Sequence, residues 1–303
     1  MSSVCIIGAG GVGKAHALAA VKVLSTWVED RVRKHIYLVD SDERVAEKYS
    51  TRVWSNSWGP INDEIIVPNG ITWSFHHPDE LNQIEANLFI IATPSEWHRH
   101  YLLRLSNRPG QAILCEKPLL DELDDPHERL AILNIFENID LHIGIEWMYH
   151  PDWWHQTIEE MHKIKTIEFC HAWAPAYTRD RSQVFDLGSH CLGLLLDAYG
   201  ANTQYRIDSV THTGNVTDVF ITPVNHNQVH LRFGYDPKIN PNEDCVKING
   251  KKMNWIPFSQ GDLFYLQLCY IMGVNEGDEF SYPMFTKGDL MKMDNVLREI
   301  HES

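Results

Sequence analysis

A short apolar run that breaks into three spaced glycines limits what this chain can fold into more than any other feature. Val4-Cys5-Ile6-Ile7 reads as a strand, Gly8-Ala9-Gly10-Gly11-Val12-Gly13 as a Gly-x-Gly-x-x-Gly turn, and Lys14-Ala15-His16-Ala17-Leu18 as the start of a helix. In that order Gly8 permits the tight turn, Gly10 lets the backbone approach a pyrophosphate, and Gly13 lets the helix pack close to the strand. The free N–H groups at the helix start, with the dipole behind them, favour a phosphate there. The strand before and the helix after raise this spacing above a bare glycine-rich turn. Gly8, Gly10, Gly11, Val12 and Gly13 are therefore the expected dinucleotide-binding loop.

The alternation continues. Strands are expected at Val4–Gly8, His35–Val39, Ile71–Phe75, Leu88–Ala92, Ala112–Cys115 and Leu141–Ile145, with helices at Gly13–Val28, Glu43–Tyr49, Trp97–Leu105 and His127–Glu137. Short apolar strands spaced by helices imply α/β architecture with a parallel, doubly wound Rossmann sheet. Thr51–Gly70 reads as a loop excursion. The character changes near Tyr149-His150-Pro151. Beyond it come a helix near Trp154–His162, a strand at Thr166–Ala172, a helix at Gly188–Ala198, and four clustered strands at Arg206–Thr213, Val216–Thr222, Gln228–Tyr235 and Cys245–Ile248. Helices near Gly261–Met272 and Lys287–His301 close the chain. The expectation is a dinucleotide-binding domain over 1–148 and an α+β substrate-binding and oligomerisation domain with a largely antiparallel sheet over 149–303.

Charge narrows the partners. A net charge of −15 over 303 residues argues against nucleic acid and against an anionic membrane surface. A local nest of N–H groups still accepts an anionic ligand. No apolar run reaches transmembrane length, and the six cysteines are scattered with no Cys-x-x-Cys, which suits reduced thiols in the cytoplasm. No strict ligand set for a metal appears; His76-His77, His98 and His100 do not make one.

In an open α/β sheet, ligands bind outside the carboxyl ends of the strands. The second strand ends at Asp40, whose carboxylate can bond both ribose hydroxyls of NAD and would repel a 2′-phosphate. No arginine follows it directly, so NAD is expected and NADP less so; capping the next helix is the plainer alternative. The fourth strand ends at Thr93-Pro94, with His98 a helical turn on. The fifth ends at Glu116-Lys117-Pro118, where a surface ion pair is the alternative. In the second half Asp186 and His190 share a face if that segment is helical. An Asp can orient an imidazole, making His190 a candidate general base for an alcohol proton.

Taken together and in this order, Gly8-x-Gly10-x-x-Gly13, Thr93-Pro94 with His98, Glu116-Lys117-Pro118 and Asp186-x-Gly188-x-His190 resemble the glucose–fructose oxidoreductase / inositol dehydrogenase / MocA family. The resemblance covers roughly residues 3–200. It implies an NAD(P)-dependent oxidoreductase acting on a hydroxyl-bearing carbon of a sugar, cyclitol or nucleotide sugar. It implies that Lys117 bonds the reacting hydroxyl near the nicotinamide and that His190 takes the hydroxyl proton. Asp186 would position substrate and His190, Glu116 would seat the nicotinamide riboside, and Pro118 would fix the turn. The cofactor set is then the glycine loop with Asp40, Thr93, Pro94, His98, Glu116 and Lys117. The substrate set is Lys117, Trp147, Tyr149, Trp173, Arg179, Asp186 and His190, the aromatic faces suiting the C–H face of a sugar. A homo-oligomer, dimer or tetramer, follows from the same resemblance. Three positions depart from the family pattern: Gly193 stands where an Asp is common, Val184-Phe185 where a glycine pair is common, and Glu146-Trp147-Met148-Tyr149-His150-Pro151 where an Asn or Arg precedes the proline. Gly193, with a second domain short for the family, motivates an alternative, a non-catalytic NAD(H)-binding regulator or scaffold; a third reading keeps NAD but uses it transiently, as in glycoside-cleaving or epimerising relatives.

Overall fold

The computed structural model describes residues 2–26, 33–56, 63–108, 110–120, 125, 129, 132, 134, 140–145, 163–171, 183–200, 203–236, 238, 245–252, 260–274 and 287–303. Its described residues fall into two units. The first is built from β1 (Ser3–Ile7), α1 (Gly11–Thr26), β2 (Lys34–Val39), α2 (Arg44–Glu47), β3 (Val53–Asn56), β4 (Asp63–Ile66), β5 (Ile71–His76), β6 (Leu88–Ile91), α3 (His98–Leu105), β7 (Ala112–Glu116) and β8 (Asp140–Gly144). Six strands form one sheet in the order β5-β2-β1-β6-β7-β8, every pair parallel. This is the expected Rossmann sheet, and its switch point lies between β1 and β6, where the chain order reverses. Parallel strands covered on both faces read as unbroken apolar runs. Accordingly Leu88-Phe89-Ile90-Ile91 is wholly buried, as are all five residues of β7.

Thr51–Gly70 departs from the expected loop. Val53–Asn56 and Asp63–Ile66 pair as an antiparallel two-stranded sheet. Trp54 anchors it: fully buried, it meets the edges of Tyr49 and Trp73, while Trp73 donates its Nε1–H to the Tyr49 carbonyl at 2.8 Å. Alternation over four residues is too short to separate a strand from a loop by pattern.

The second unit contains β9 (Thr166–His171), α4 (Gln183–Asp186), α5 (Gly188–Tyr199), β10 (Tyr205–Thr213), β11 (Val216–Pro223), β12 (Val229–Tyr235), β13 (Cys245–Ile248) and β14 (Lys251–Lys252). Its sheet runs β10-β11-β12-β9-β13-β14, antiparallel except where β9 lies parallel to β12. The largely antiparallel sheet was expected. Among the described residues of this unit, the single turn at α4 was not expected.

The expected unbroken second domain over 149–303 is not what forms. Residues Trp255–Tyr282, including α6 (Gln260–Met272), return to the first unit, and the chain then ends in the second with α7 (Lys287–Glu302). Composition explains the return. From Gly13 to Leu24, α1 buries Gly13, Ala15, His16, Ala17, Leu18, Ala19, Ala20, Val21, Val23 and Leu24, so it needs cover on more than its sheet side. Phe264, Leu268, Cys269, Ile271 and Met272 of α6 supply it by joining the same core. Small residues on α1 let a second helix approach closely. In α7, by contrast, Leu290, Met293, Leu297 and Ile300 make one apolar stripe at helical spacing. The expected helix at His127–Glu137 lies mostly outside the described residues, and the one at Trp154–His162 wholly so.

Candidate active site

Strand β1 delivers the chain into the glycine loop. The Gly8 N–H donates to the Val39 carbonyl at 2.8 Å, and Gly8 has φ +88°. A Cβ there would lie 2.8 Å from the Ala92 carbonyl group and the Thr93 nitrogen, so both conformation and space demand glycine. A Cβ on Gly13 would stand 1.8 Å from the Gly8 carbonyl oxygen, so α1 packs directly on the turn. Gly10 differs: nothing lies within 4 Å of its would-be Cβ. That open cradle sits against the first turn of α1, whose N–H groups have no partner earlier in the helix. Val12 packs on the core as a half-buried residue.

At the end of β2, the Asp40 carboxylate accepts the Asp42 N–H at 3.0 Å. Arg44, the nearest arginine in sequence, forks onto Asp42 instead, at 2.8 Å through Nε and 2.8 Å through a terminal nitrogen. It is therefore engaged away from a 2′-phosphate. Tyr49 ties this corner to the loop by donating to the Ala9 carbonyl at 2.7 Å; burial and the Asp40 charge push its hydroxyl pKa up, so it stays a donor.

Past β6, Thr93 Oγ1 is buried with no hydrogen-bond partner among the described residues. His98, 1% exposed, spans two carbonyls, Nδ1 to Pro118 at 2.8 Å and Nε2 to Thr93 at 2.8 Å. It clamps the turns after β6 and β7 together. The Lys117–Pro118 peptide is cis. Glu116 lies inward, its Oε1 2.6 Å from His16 Nε2. Its charge, after burial, raises the thiol pKa of Cys115. Lys117 is half-buried beside it.

In the second unit, α4 and α5 are joined through Leu187 in helical conformation, so Asp186 and His190 share a face as the spacing suggested. Tyr235, at the end of β12, donates its hydroxyl to Asp186 Oδ2. His190 is 2% exposed and stacks on Phe169 of β9, centroids 4.5 Å apart at 15°. Asp186 and His190 thus lie one helical turn apart, the carboxylate held by Tyr235 and the imidazole buried against Phe169. Sequence reasoning missed His16, Tyr49, Phe169 and Tyr235. Each stands in an element that was expected, but none carries a spacing signal, because its partner is remote in the chain. Trp147, Tyr149, Trp173 and Arg179 lie outside the described residues. Among the described residues no group of three or more His, Cys, Asp or Glu is gathered as metal ligands, and no helix is long and apolar enough to cross a membrane.

Residues 2–137 match the model of the GFO_IDH_MocA family, an oxidoreductase family with an NAD-binding Rossmann fold. This domain, which spans less than half of the chain, is of that family's kind and marks the chain as an NAD-dependent oxidoreductase. No curated protein matches the chain in sequence. Among solved structures, GenD2 from gentamicin A biosynthesis in complex with NAD is 15% identical with TM-score 0.66, covering 100% of this chain and 93% of that one. UDP-N-acetylglucosamine 3-dehydrogenase GnnA from Acidithiobacillus ferrooxidans is 16% identical with TM-score 0.64, covering 99% and 97%. A myo-inositol dehydrogenase from Corynebacterium glutamicum is 15% identical with TM-score 0.62, covering 99% and 96%. At these identities the likeness establishes the fold. The residues present fit NAD: the open side of Gly10, the unpartnered Thr93 hydroxyl and the carboxylate of Asp40 lie at successive strand ends.

Proposed function

We propose that the protein is a dehydrogenase that moves hydride between NAD and a hydroxyl-bearing carbon of a sugar, cyclitol or nucleotide sugar. The observation that carries this reading is the second-unit pair, Asp186 oriented by Tyr235 and His190 buried one helical turn on, in a chain whose first unit is an NAD-binding domain. When bound, NAD supplies the hydride acceptor at C4 of its nicotinamide ring. In the oxidising direction His190 takes the hydroxyl proton, Lys117 bonds the same hydroxyl oxygen, and Asp186 orients His190 and the substrate. Positioning and one base suffice for such a transfer. The names of the similar structures, a nucleotide-sugar dehydrogenase and an inositol dehydrogenase, support a polyhydroxylated substrate. Trp147, Tyr149, Trp173 and Arg179 are proposed to complete its pocket. Asp40, with Arg44 held by Asp42, supports NAD over NADP.

A cytoplasmic homo-oligomer is the accompanying proposal. The buried, reduced thiols of Cys5, Cys115, Cys170 and Cys191 support a reducing compartment, and Phe220, 38% exposed on the second sheet, supports an interface there. The reaction is tested by screening sugar alcohols and nucleotide sugars for NAD reduction, then comparing Lys117→Ala and His190→Ala with the parent. Each variant is expected to lose about 10²-fold or more in turnover, and NADH binding should stay nearly unchanged in His190→Ala. Full turnover in both would sink the assignment.

A further inference from the structure

His16 belongs to none of the motifs above, yet it is fully buried with its Nε2 2.6 Å from the Glu116 carboxylate, which is itself 6% exposed. Its Nδ1 is buried without a hydrogen-bond partner among the described residues, so the proton sits on Nε2 and His16 donates to Glu116. Two further residues shape this contact. Phe264 of α6 meets the imidazole edge-on with centroids 4.6 Å apart and sets the plane of the ring. Gly144 of β8 makes room: a Cβ there would lie 2.7 Å from the Glu116 carboxyl carbon and from each of its oxygens. Thus α1 and β8 meet at one carboxylate at the end of β7, with α6 against the imidazole.

Stability does not account for the arrangement. A buried carboxylate and imidazole are commonly no better for folding than apolar side chains of similar volume, and a neighbouring glycine adds nothing to the core. Placement does account for it. Strands lie about 4.8 Å apart, so in the order β2-β1-β6-β7 the ends carrying Asp40 and Glu116 are about 14 Å apart, on opposite sides of the glycine loop. If Asp40 takes the adenosine ribose and the loop the pyrophosphate, Glu116 stands at the nicotinamide side, next to Lys117.

We propose that His16 is a positioning residue for the nicotinamide half of the cofactor. It fixes the Glu116 carboxylate in the notch left by Gly144, so that Glu116 can receive the nicotinamide riboside. The proposal rests on the dehydrogenase reading for what fills the site.

The test compares two ligands on the whole protein. NADH is titrated by energy transfer from tryptophan, and ADP, which lacks the nicotinamide riboside, by calorimetry. His16→Leu is expected to weaken NADH about tenfold, the scale of one charge-assisted hydrogen bond, and to leave ADP within about twofold. His16→Gln, which keeps an N–H donor near the Nε2 position, restores most of the NADH affinity. Glu116→Gln, nearly isosteric and able to fold if His16→Leu does not, shows the same NADH-selective loss. Equal weakening of both ligands, unchanged NADH binding in Glu116→Gln, or no rescue by His16→Gln would overturn the positioning role alone. Failure of the parent protein to bind either ligand would overturn the dehydrogenase reading first, and this role with it.

Discussion

In the first unit the functional groups stand where the backbone puts them; in the second they are held by side chains from distant strands. The NAD side consists of a turn whose glycines touch β6 and α1 backbone, followed by residues at the ends of adjacent parallel strands. The proposed substrate side consists of a helical face whose two polar residues depend on Tyr235 and Phe169. Backbone-built sites tolerate little change in shape and much change in neighbours. Side-chain-built sites behave the other way round, and the two respond to different mutations.

The largest effects should come from two glycines three residues apart that look equivalent in sequence. Gly13→Ala drives a Cβ to 1.8 Å from the Gly8 oxygen, a clash with backbone that no rotamer relieves. Destabilisation of about 3 kcal/mol or more is expected, seen as a fall in Tm together with loss of NADH binding. Gly10→Ala meets nothing within 4 Å, so Tm should hold while the methyl fills the cradle and NADH affinity drops at least about tenfold. If both variants unfold alike, the open side of Gly10 is structural and the comparison between fold and cradle fails.

The same contrast explains what the sequence made legible. Gly8 to Gly13, Asp40 and Glu116-Lys117 carry their meaning locally, since a turn or strand end is written in consecutive residues. His16 and Glu116 are 100 residues apart, and Asp186 and Tyr235 are 49 apart. No spacing links such partners; only the sheet order brings them together. The six Rossmann strands were legible because burial on both faces enforces continuous apolar runs. The return of α6 to the first unit was not. An apolar helix announces that it is buried but not against what, and only the Ala-rich surface of α1 decides it.

Tyr235→Phe probes the second unit with a smaller effect. It removes the hydroxyl that donates to Asp186 Oδ2 and leaves the ring, which is 5% exposed, in place. One hydrogen bond to a charged group is worth about tenfold or more, so turnover should fall by that order with NADH affinity and Tm nearly unchanged. A matching loss of NADH affinity would show that the two halves are not separable in the way drawn here.

The smallest effect concerns protons, and it should divide the units. In the first, burial lowers the pKa of His142 despite Asp140 at 3.1 Å, and burial, Arg33 and His76 lower that of His35. Each takes up its proton more readily unfolded than folded. Above the ordinary histidine value of 6.5 neither matters; as pH falls below it, the unfolded state gains protons and the first unit loses stability. In the second, hydrogen bonds from Gln228, Thr222 and Arg206 pull Asp208 from 3.8 to about 2. Its contribution is present above the unfolded value and is lost only as pH falls through about 2. Between about pH 7 and pH 5, across the histidine range, amide exchange corrected for intrinsic rates should therefore lose protection in β1 and β2 while β11 and β12 hold theirs. His142→Gln should lessen the loss in the first unit. Equal loss in both sheets would mean that the half-buried His35 and His142 of the first unit do not set its acid response.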